Sequence, residues 1–461
     1  MSVHHTSDGG VLARQRVRRR ELATLTLPDH RDPVGLIEAQ HATRIPDLVP
    51  VRVGRMLQSP FAFYRGTAAL MAADLKDVPT SGFDVVACGD AHIANFGFYA
   101  SPERNLVFDL NDFDEAAIAP WEWDLRRLAA SVHIAGRDIG LTEPQCRDAA
   151  HDAVESYRAT LEQAMRMSAT ERFFARIDDT AVAEHFGKAG RKTLGTTTAK
   201  ALTRTSEQVL RKLTTHTEHG ELKIVDQPPV LRHVPHPEGH HPDQLFAAYR
   251  RTVREDVAVL LGQFRIVDFA LRVVGVGSVG TRCYLIALQN QHGDALFLQA
   301  KEAQTSVLVS HGGRVERVPG YGGGTVATQG HRVVAAQRVL QASSDPFLGW
   351  ITGWVDRNNS GQEVLADFYW RQFRDMKGSI EISALDAEQL RRYSALCAGV
   401  LARAHAQSPA VAAIQAYMGG SDQVAEAMST WAAAYADVAE ADYDALARAV
   451  DQGRLPVERG V

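Results

Sequence analysis

The sequence predicts an α+β fold in which a single β-rich stretch is flanked on both sides by helical segments. Three observations carry this. From residue 264 the texture is that of strands, FRIVDFALRVV, then CYLIAL and ALFLQAKEA, broken by glycines. Residues 122–167 and 387–453 carry apolar residues at helical spacing. Two short apolar runs, 83–88 (FDVVAC) and 105–110 (NLVFDL), read as strands that each end in a polar loop.

In chain order, residues 1–45 are polar and rich in Arg and Asp, and Arg14, Arg16, Arg18, Arg19 and Arg20 read as a solvated mobile arm. Residues 46–167 form the first helical region. Within it, 51–76 mixes basic and aromatic residues before turning helical, 122–140 reads as a helix with Leu125, Leu128, Ala129, Val132 and Ile134 on one side, and 143–167 as another. Residues 168–242, rich in Thr, Lys, Arg and His, read as a helical insertion and linker. Its cluster of His233, His236, His240 and His241 has no evident carboxylate or Cys partners, so linker is preferred to metal site. Residues 243–385 make the β-rich region, with helices at 243–262 and 327–343 and a late strand at 366–373. Residues 386–461 are helical.

A length of 461 residues allows two or three domains. A net charge of −5 argues against a nucleic-acid footprint over the whole chain. Cys88, Cys146, Cys283 and Cys397 are scattered with no CxxC pair, which points away from zinc and from a disulfide framework and fits a reducing compartment. The first 30 residues have no apolar signal core and no run of 18 apolar residues occurs, so the expectation is a cytoplasmic protein with neither membrane nor nucleic acid as partner. Oligomeric state is not legible.

The chemistry concentrates in Gly89-Asp90-Ala91-His92-Ile93-Ala94-Asn95 and in the acidic run Asp109, Asn111, Asp112, Asp114 and Glu115. An Asp in a loop opened by glycine accepts a hydrogen bond from a hydroxyl, and an Asn carbonyl oxygen suits Mg²⁺. So many acidic groups beside the apolar AAIAPWEWDL repel one another unless a cation joins them. Asp112 is the first choice of ligand, with Asp114 or Asp109 behind it. A third element, Gly275-Val-Gly277-Ser278-Val-Gly280, lies between two β-like runs. Glycines there let backbone amides approach phosphate, and a following strand rather than a helix disfavours a dinucleotide fold. Lys301, in the next strand, is expensive to bury unpaired. Arg65, His92, Arg371, Arg374 and Lys377 are candidates for substrate or phosphate binding, the arginines and lysine lying beside aromatics in FAFYRG and YWRQFRDMKGS, where surface or structural ion pairs are the alternative.

The segment GDAHIANF…VFDLNDFDEAAIAPWEWDLRRLA resembles the catalytic segment of aminoglycoside phosphotransferases and related small-molecule kinases. The resemblance implies a protein-kinase-like two-lobe fold, with Asp90 as catalytic Asp, Asn95 and Asp112 as Mg²⁺ ligands, and Asp124 as a structural residue opening a helix. SPFAFYRGTA, CGDAHIANFG, NDFDEA, EWDLRRLAAS, SDPFLGW and RQFRDMKGS, spread over nearly the whole chain, are similar to the bacterial family known as domain of unknown function 2252. In kinase-like chains the glycine hairpin and its Lys precede the catalytic loop, whereas here they follow it. Residues 391–408 look like the helix that normally runs into that loop. The expectation is therefore a circularly permuted kinase-like fold, its strand lobe at about 264–385 and its helical lobe drawn from both ends of the chain. One feature departs from the pattern. Helix 327–343 has no acidic residue to pair with Lys301, which leaves Gln337, Glu302 or Glu316 as substitutes.

The function expected is an ATP- and Mg²⁺-dependent phosphotransferase acting on a hydroxyl of a small molecule. Asp90 orients the acceptor, Asn95 with Asp112 or Asp114 holds Mg²⁺, and Gly275, Gly277, Ser278, Gly280 and Lys301 hold ATP. A protein acceptor is disfavoured because nothing resembles a peptide-docking segment. The alternatives are a nucleotidyl-transferring or catalytically silent protein of the same fold. A metal-dependent phosphoesterase ranks lower, since the further His and Asp motifs of a two-metal site are missing.

Overall fold

The structure, a computed structural model, describes residues 6–203, 206–234, 242–320, 328–357, 363–373 and 376–460. It is 51% helical and 17% strand, and its main sheet and its long helices fall in separate stretches of chain, as an α+β protein requires.

The main sheet is antiparallel and six-stranded, in the order Gly349–Arg357, Glu363–Gln372, Ala295–Ala303, Cys283–Asn290, Phe264–Arg272, Leu231–Arg232. Strand alternation explains why it is covered on both faces. Ile286, Leu288, Leu296 and Leu298 join Phe246, Tyr249 and Trp370 in one cluster, with Tyr249 stacked 4.5 Å from Trp370. Their neighbours Leu285, Ala287 and Phe297 point the other way, onto Val209, Leu222 and Ile224. The second half of the 168–242 region is thus a cover for the sheet, built of the helix Ser206–Leu213 and the short hairpin Thr214–His216 with Leu222–Ile224.

The largest core is helical and joins both ends of the chain. Trp121–Asp138 and Glu143–Arg166 pack with Ala387–His405 and Gln423–Asp451, and Trp121 stacks 5.8 Å from Tyr157. Two small hairpins sit on this body. Asp84–Ala87 pairs with Ala117–Pro120, and Phe96–Ala100 with Leu106–Leu110. The second strand of the first pair and the first of the second are not among the strands expected from the sequence. The strand Gly349–Arg357 is likewise additional.

The N-terminal segment corrects its expectation. It is no solvated arm, because the helix Ser7–Arg16 packs on Val411–Met418. Arg14 donates to the carbonyls of Ala416 and, at 3.0 Å, Tyr417, while Arg19 donates to Met418 at 2.8 Å. The last carbonyls of a helix lack partners within it, and these guanidinium groups supply them. Arg16 reaches the Ser81 carbonyl at 3.3 Å, and Arg18 stays at the surface.

The histidine cluster needs a second correction. His233 does have carboxylate partners: Asp226 lies 2.8 Å from Nδ1 and Asp268 3.1 Å from Nε2. Asp268 also accepts the Ile224 N–H at 2.6 Å, so His233 ties the cover to the sheet. His236, His240 and His241 lie outside the described residues. Burial opposes protonation of His233, but Asp268 and Asp226 together raise its pKa above the usual 6.5. A raised imidazole stabilises the fold fully below that ordinary value, and the contribution is lost as pH rises through the folded value. His233→Gln is therefore expected to lose stability relative to wild type at pH 5 and to converge on it above neutrality. Urea midpoints measured at a series of pH values check this, and a gap that does not change with pH contradicts it.

The four cysteines are free and buried. Among the described residues no helix is long and apolar enough to cross a membrane.

Candidate active site

Asp90 follows the strand Asp84–Ala87, where Gly89 turns the chain with φ +80°. No other residue fits at Gly89, because a Cβ there would stand 2.0 Å from the Glu115 carbonyl oxygen. The turn is fixed by Asp124, in the first turn of Trp121–Asp138, whose carboxylate accepts the N–H groups of Cys88 at 2.7 Å and Gly89 at 2.9 Å. His405 Nε2 lies 3.1 Å from the same carboxylate, and Tyr157 Oη lies 2.7 Å from His405 Nδ1. The end of the helix Ala387–His405 thus abuts the loop that begins at Cys88, although the two are far apart in sequence.

The Asp90 carboxylate is held by a residue that sequence reasoning missed. Arg127 donates from Nε to Oδ1 at 2.8 Å and from a terminal nitrogen to the Tyr64 carbonyl at 2.7 Å, and lies 3.9 Å from the Tyr64 ring centroid. His92 Nε2 stands 3.7 Å from Oδ2. Burial raises the Asp90 carboxyl above the usual carboxylate range, against the pull of Arg127 and Arg65. Burial, with Arg65 and Arg127, keeps His92 neutral.

Asn95 closes the loop by donating from Nδ2 to the Asp90 carbonyl at 2.7 Å, so its side-chain oxygen is the atom it offers a cation. Its own carbonyl accepts the Asn111 N–H at 2.9 Å, joining it to the acidic segment. There Lys301 Nζ pairs with Asp114 and, at 3.3 Å, with Asp112. Lys301 is 3% exposed, and burial disfavours its charge, but the two carboxylates hold its pKa well above the ordinary value. Burial likewise opposes ionisation of Asp112, yet Lys301, Arg371 and Lys377 keep it below the usual range. Asp114 is raised by burial and by Asp112. Among the described residues Asp114 Oδ1 is buried without a partner at full hydrogen-bond geometry, although the Tyr369 hydroxyl acts on the same carboxylate.

These carboxylates answer the question left by the helix Gln329–Leu340. None of the expected substitutes pairs with Lys301: Gln337 bonds Gln341 at 2.9 Å, Glu302 pairs with Arg282 at 3.3 Å, and Glu316 meets Gln329. The helix contributes a cation instead. Arg332 is fully buried and donates to the carbonyls of Ala116, Asp114 and Gln304, the last two at 2.8 and 2.9 Å. It braces the acidic loop through its backbone.

The glycine run connects Phe264–Arg272 to Cys283–Asn290. Its glycines differ in purpose. Gly280 has φ +88°, with Arg44 against the position of its missing Cβ. Gly277 meets no such constraint: a Cβ there would lie 3.4 Å from the Arg65 carbonyl oxygen, an ordinary contact. The loop is moored by Arg44, which donates to Val279, and by the Ile45 N–H on the Gly280 carbonyl at 2.8 Å.

Loop and acidic segment meet in one cavity of about 700 Å³. Asp90, His92, Asn95, Asp112 and Asp114 line it together with Gly275, Gly277, Ser278 and Arg65, while Lys301, outside the lining, pairs with Asp112 and Asp114. A family model described as "Uncharacterized protein conserved in bacteria (DUF2252)" matches residues 44–449. The chain belongs to the DUF2252 family. No curated protein and no solved structure matches it.

The other expected site residues of this DUF2252 chain fall elsewhere. Gly280 is behind the loop, against Arg44. Lys377 lines a separate small pocket with Tyr99, Asn111 and Arg371, and burial, then Arg371, pushes its pKa down to about 7. Arg374 lies outside the described residues. Asp109, the fallback ligand, is committed to structure: it accepts Arg403 at 3.1 Å and the Ala342 N–H at 2.8 Å. Among the described residues no group of three or more His, Cys, Asp and Glu side chains is arranged to hold a metal. Mg²⁺ does not require one, since it is commonly held by one or two carboxylates together with substrate phosphates. The Asn95 side-chain oxygen, Asp112 and Asp114, whose Oδ1 has no well-formed hydrogen bond among the described residues, fit that donor set.

Proposed function

We propose that this protein is an ATP- and Mg²⁺-dependent phosphotransferase acting on a hydroxyl of a small molecule, with a circularly permuted kinase-like fold. The observation that carries the proposal is the convergence, in one cavity, of two motifs nearly 200 residues apart in sequence. These are the Asp90–Asn95 loop with its acidic partners, and the glycine hairpin with Lys301. The permutation is supported by the strand order and by the helix Ala387–His405, which ends on Asp124 beside the catalytic loop.

On this reading Asp90 Oδ1 is held by Arg127, and Oδ2 accepts the acceptor hydroxyl and directs its oxygen at the terminal phosphorus. Amides of the 275–280 loop approach phosphate oxygens without a Cβ in the way. Asn95, Asp112 and Asp114 hold Mg²⁺, which when bound neutralises charge on the phosphate oxygens. Lys301, paired with Asp112 and Asp114, is placed to exchange part of that pairing for phosphate contact.

Gly277 provides the test, since packing does not require a glycine there. Mg²⁺ with ATP is expected to raise the melting temperature of wild type, because a ligand of the native state stabilises it by mass action. Gly277→Ala is expected to melt like wild type without ligand and to lose most of the shift. A shift of equal size in the variant would remove the glycine loop from the nucleotide site.

A further inference from the structure

Among the described residues, every arginine and lysine at the cavity but one is already engaged. Arg44 donates to the Val279 carbonyl, Arg282 pairs with Glu302 at 3.3 Å, Arg127 holds Asp90, and Lys301 is shared by Asp112 and Asp114. His92 and His311 are disfavoured as cations by burial. Arg65 is the exception. Among the described residues its guanidinium has no hydrogen-bond or ion-pair partner, and its Nε is buried. Arg65 is half-buried and lines the cavity, and a guanidinium whose Nε is buried without a partner is costly unless a ligand completes it.

Its position says which ligand. Arg65 ends the helix Pro60–Arg65, and its backbone carbonyl oxygen lies 3.4 Å from where a Cβ of Gly277 in the glycine loop would stand. Its charge also acts on Asp90. Arg65 therefore stands between the loop assigned to the donor phosphates and the carboxylate assigned to the acceptor hydroxyl. We propose that Arg65 binds the terminal phosphoryl group of the donor and neutralises it during transfer. This rests on the phosphotransferase reading above and deepens it. The bond from acceptor oxygen to phosphorus forms as the bond from phosphorus to the departing ADP oxygen breaks. The hydroxyl proton passes to Asp90, and charge spreads over the three peripheral oxygens that Arg65 faces. The arginine comes from the N-terminal helices, outside both the strand region and the catalytic loop.

A consequence needs no acceptor to test. Arg65 distinguishes nucleoside triphosphate from diphosphate, so calorimetric titration with Mg²⁺·ADP and with a Mg²⁺-bound non-hydrolysable ATP analogue reads it directly. Wild type is expected to bind the triphosphate about tenfold or more tighter, the worth of a charge-assisted contact. Arg65→Ala is expected to bind ADP as wild type does and the triphosphate no better than ADP, with Arg65→Lys intermediate. Retention of the preference by Arg65→Ala, or an equal loss for both nucleotides, overturns the inference and leaves the phosphotransferase reading standing. Failure of wild type to bind either nucleotide overturns both. If Arg65→Ala does not fold, Arg65→Gln and Arg65→Lys decide by the same comparison.

Discussion

Asp90→Asn is expected to lower phosphoryl transfer by about 10³-fold while leaving Mg²⁺·ATP binding close to wild type. The amide keeps an oxygen for Arg127, whose Nε bonds Asp90 Oδ1 at 2.8 Å, so the loop stays in place. What is lost is an atom able to take the acceptor proton. Asp90→Ala is a poorer probe, because it strands the buried Arg127 charge and costs stability as well. ADP release, measured across a panel of hydroxyl-bearing small molecules, distinguishes the outcomes. Undiminished turnover in Asp90→Asn with any acceptor that wild type phosphorylates would retire Asp90 from the catalytic role.

Lys301→Met is expected to give the largest loss of stability of any single change at the site. It removes the one cation held between Asp112 and Asp114 and leaves two neighbouring carboxylates to repel each other. Breaking a buried pair by deleting one partner costs about 3–5 kcal/mol, and the lower end applies because Asp112 keeps 35% side-chain exposure. Nucleotide affinity should fall with it. A second substitution, Asp114→Asn, should recover part of the stability without restoring ATP binding, since it relieves the repulsion and supplies no cation. Denaturant midpoints of the two single variants and the double variant check this. A double variant no more stable than Lys301→Met would mean that the lysine acts mainly through packing.

The sequence shows the chemistry of the site more readily than its supports. Asp90, Asn95 and the acidic run stand close together in the chain, and the glycine run betrays itself by lying between strands. Asp90, Asn95, Asp112, Asp114 and Glu115 reach one cavity with Gly275, Gly277 and Ser278, whereas Asp109 and Gly280 serve the structure around it. Arg127 is hidden because the helical pattern of 122–140 marks only its apolar side, Leu125, Leu128, Ala129, Val132 and Ile134. In fact the helix Trp121–Asp138 is buried nearly all round, so polar residues at its surface meet protein rather than water. The strands Phe96–Ala100 and Ala117–Pro120 were missed because they are covered almost throughout and show no polar alternation. Gly349–Arg357 was missed because glycines and charged residues dilute its β signal. The polar N-terminus misleads for another reason. Beside the few apolar residues it buries, Ala13, Val17 and Leu22, its anchors are guanidinium groups on the last carbonyls of Val411–Met418, which no hydrophobic pattern records. The partner of Lys301 was sought on the following helix, as kinase-like chains have it. Here Asp112 and Asp114 take that place, and the helix offers Arg332 to the acidic loop.

The most direct test is a crystal structure of wild type with Mn²⁺ and a non-hydrolysable ATP analogue, the metal located by its anomalous scattering. The expected result is a manganese peak ligated by Asp112 with Asn95 or Asp114, and phosphates lying under the 275–280 loop within reach of Lys301. A nucleotide bound away from this cavity, or a metal that none of these three residues touches, would contradict the account.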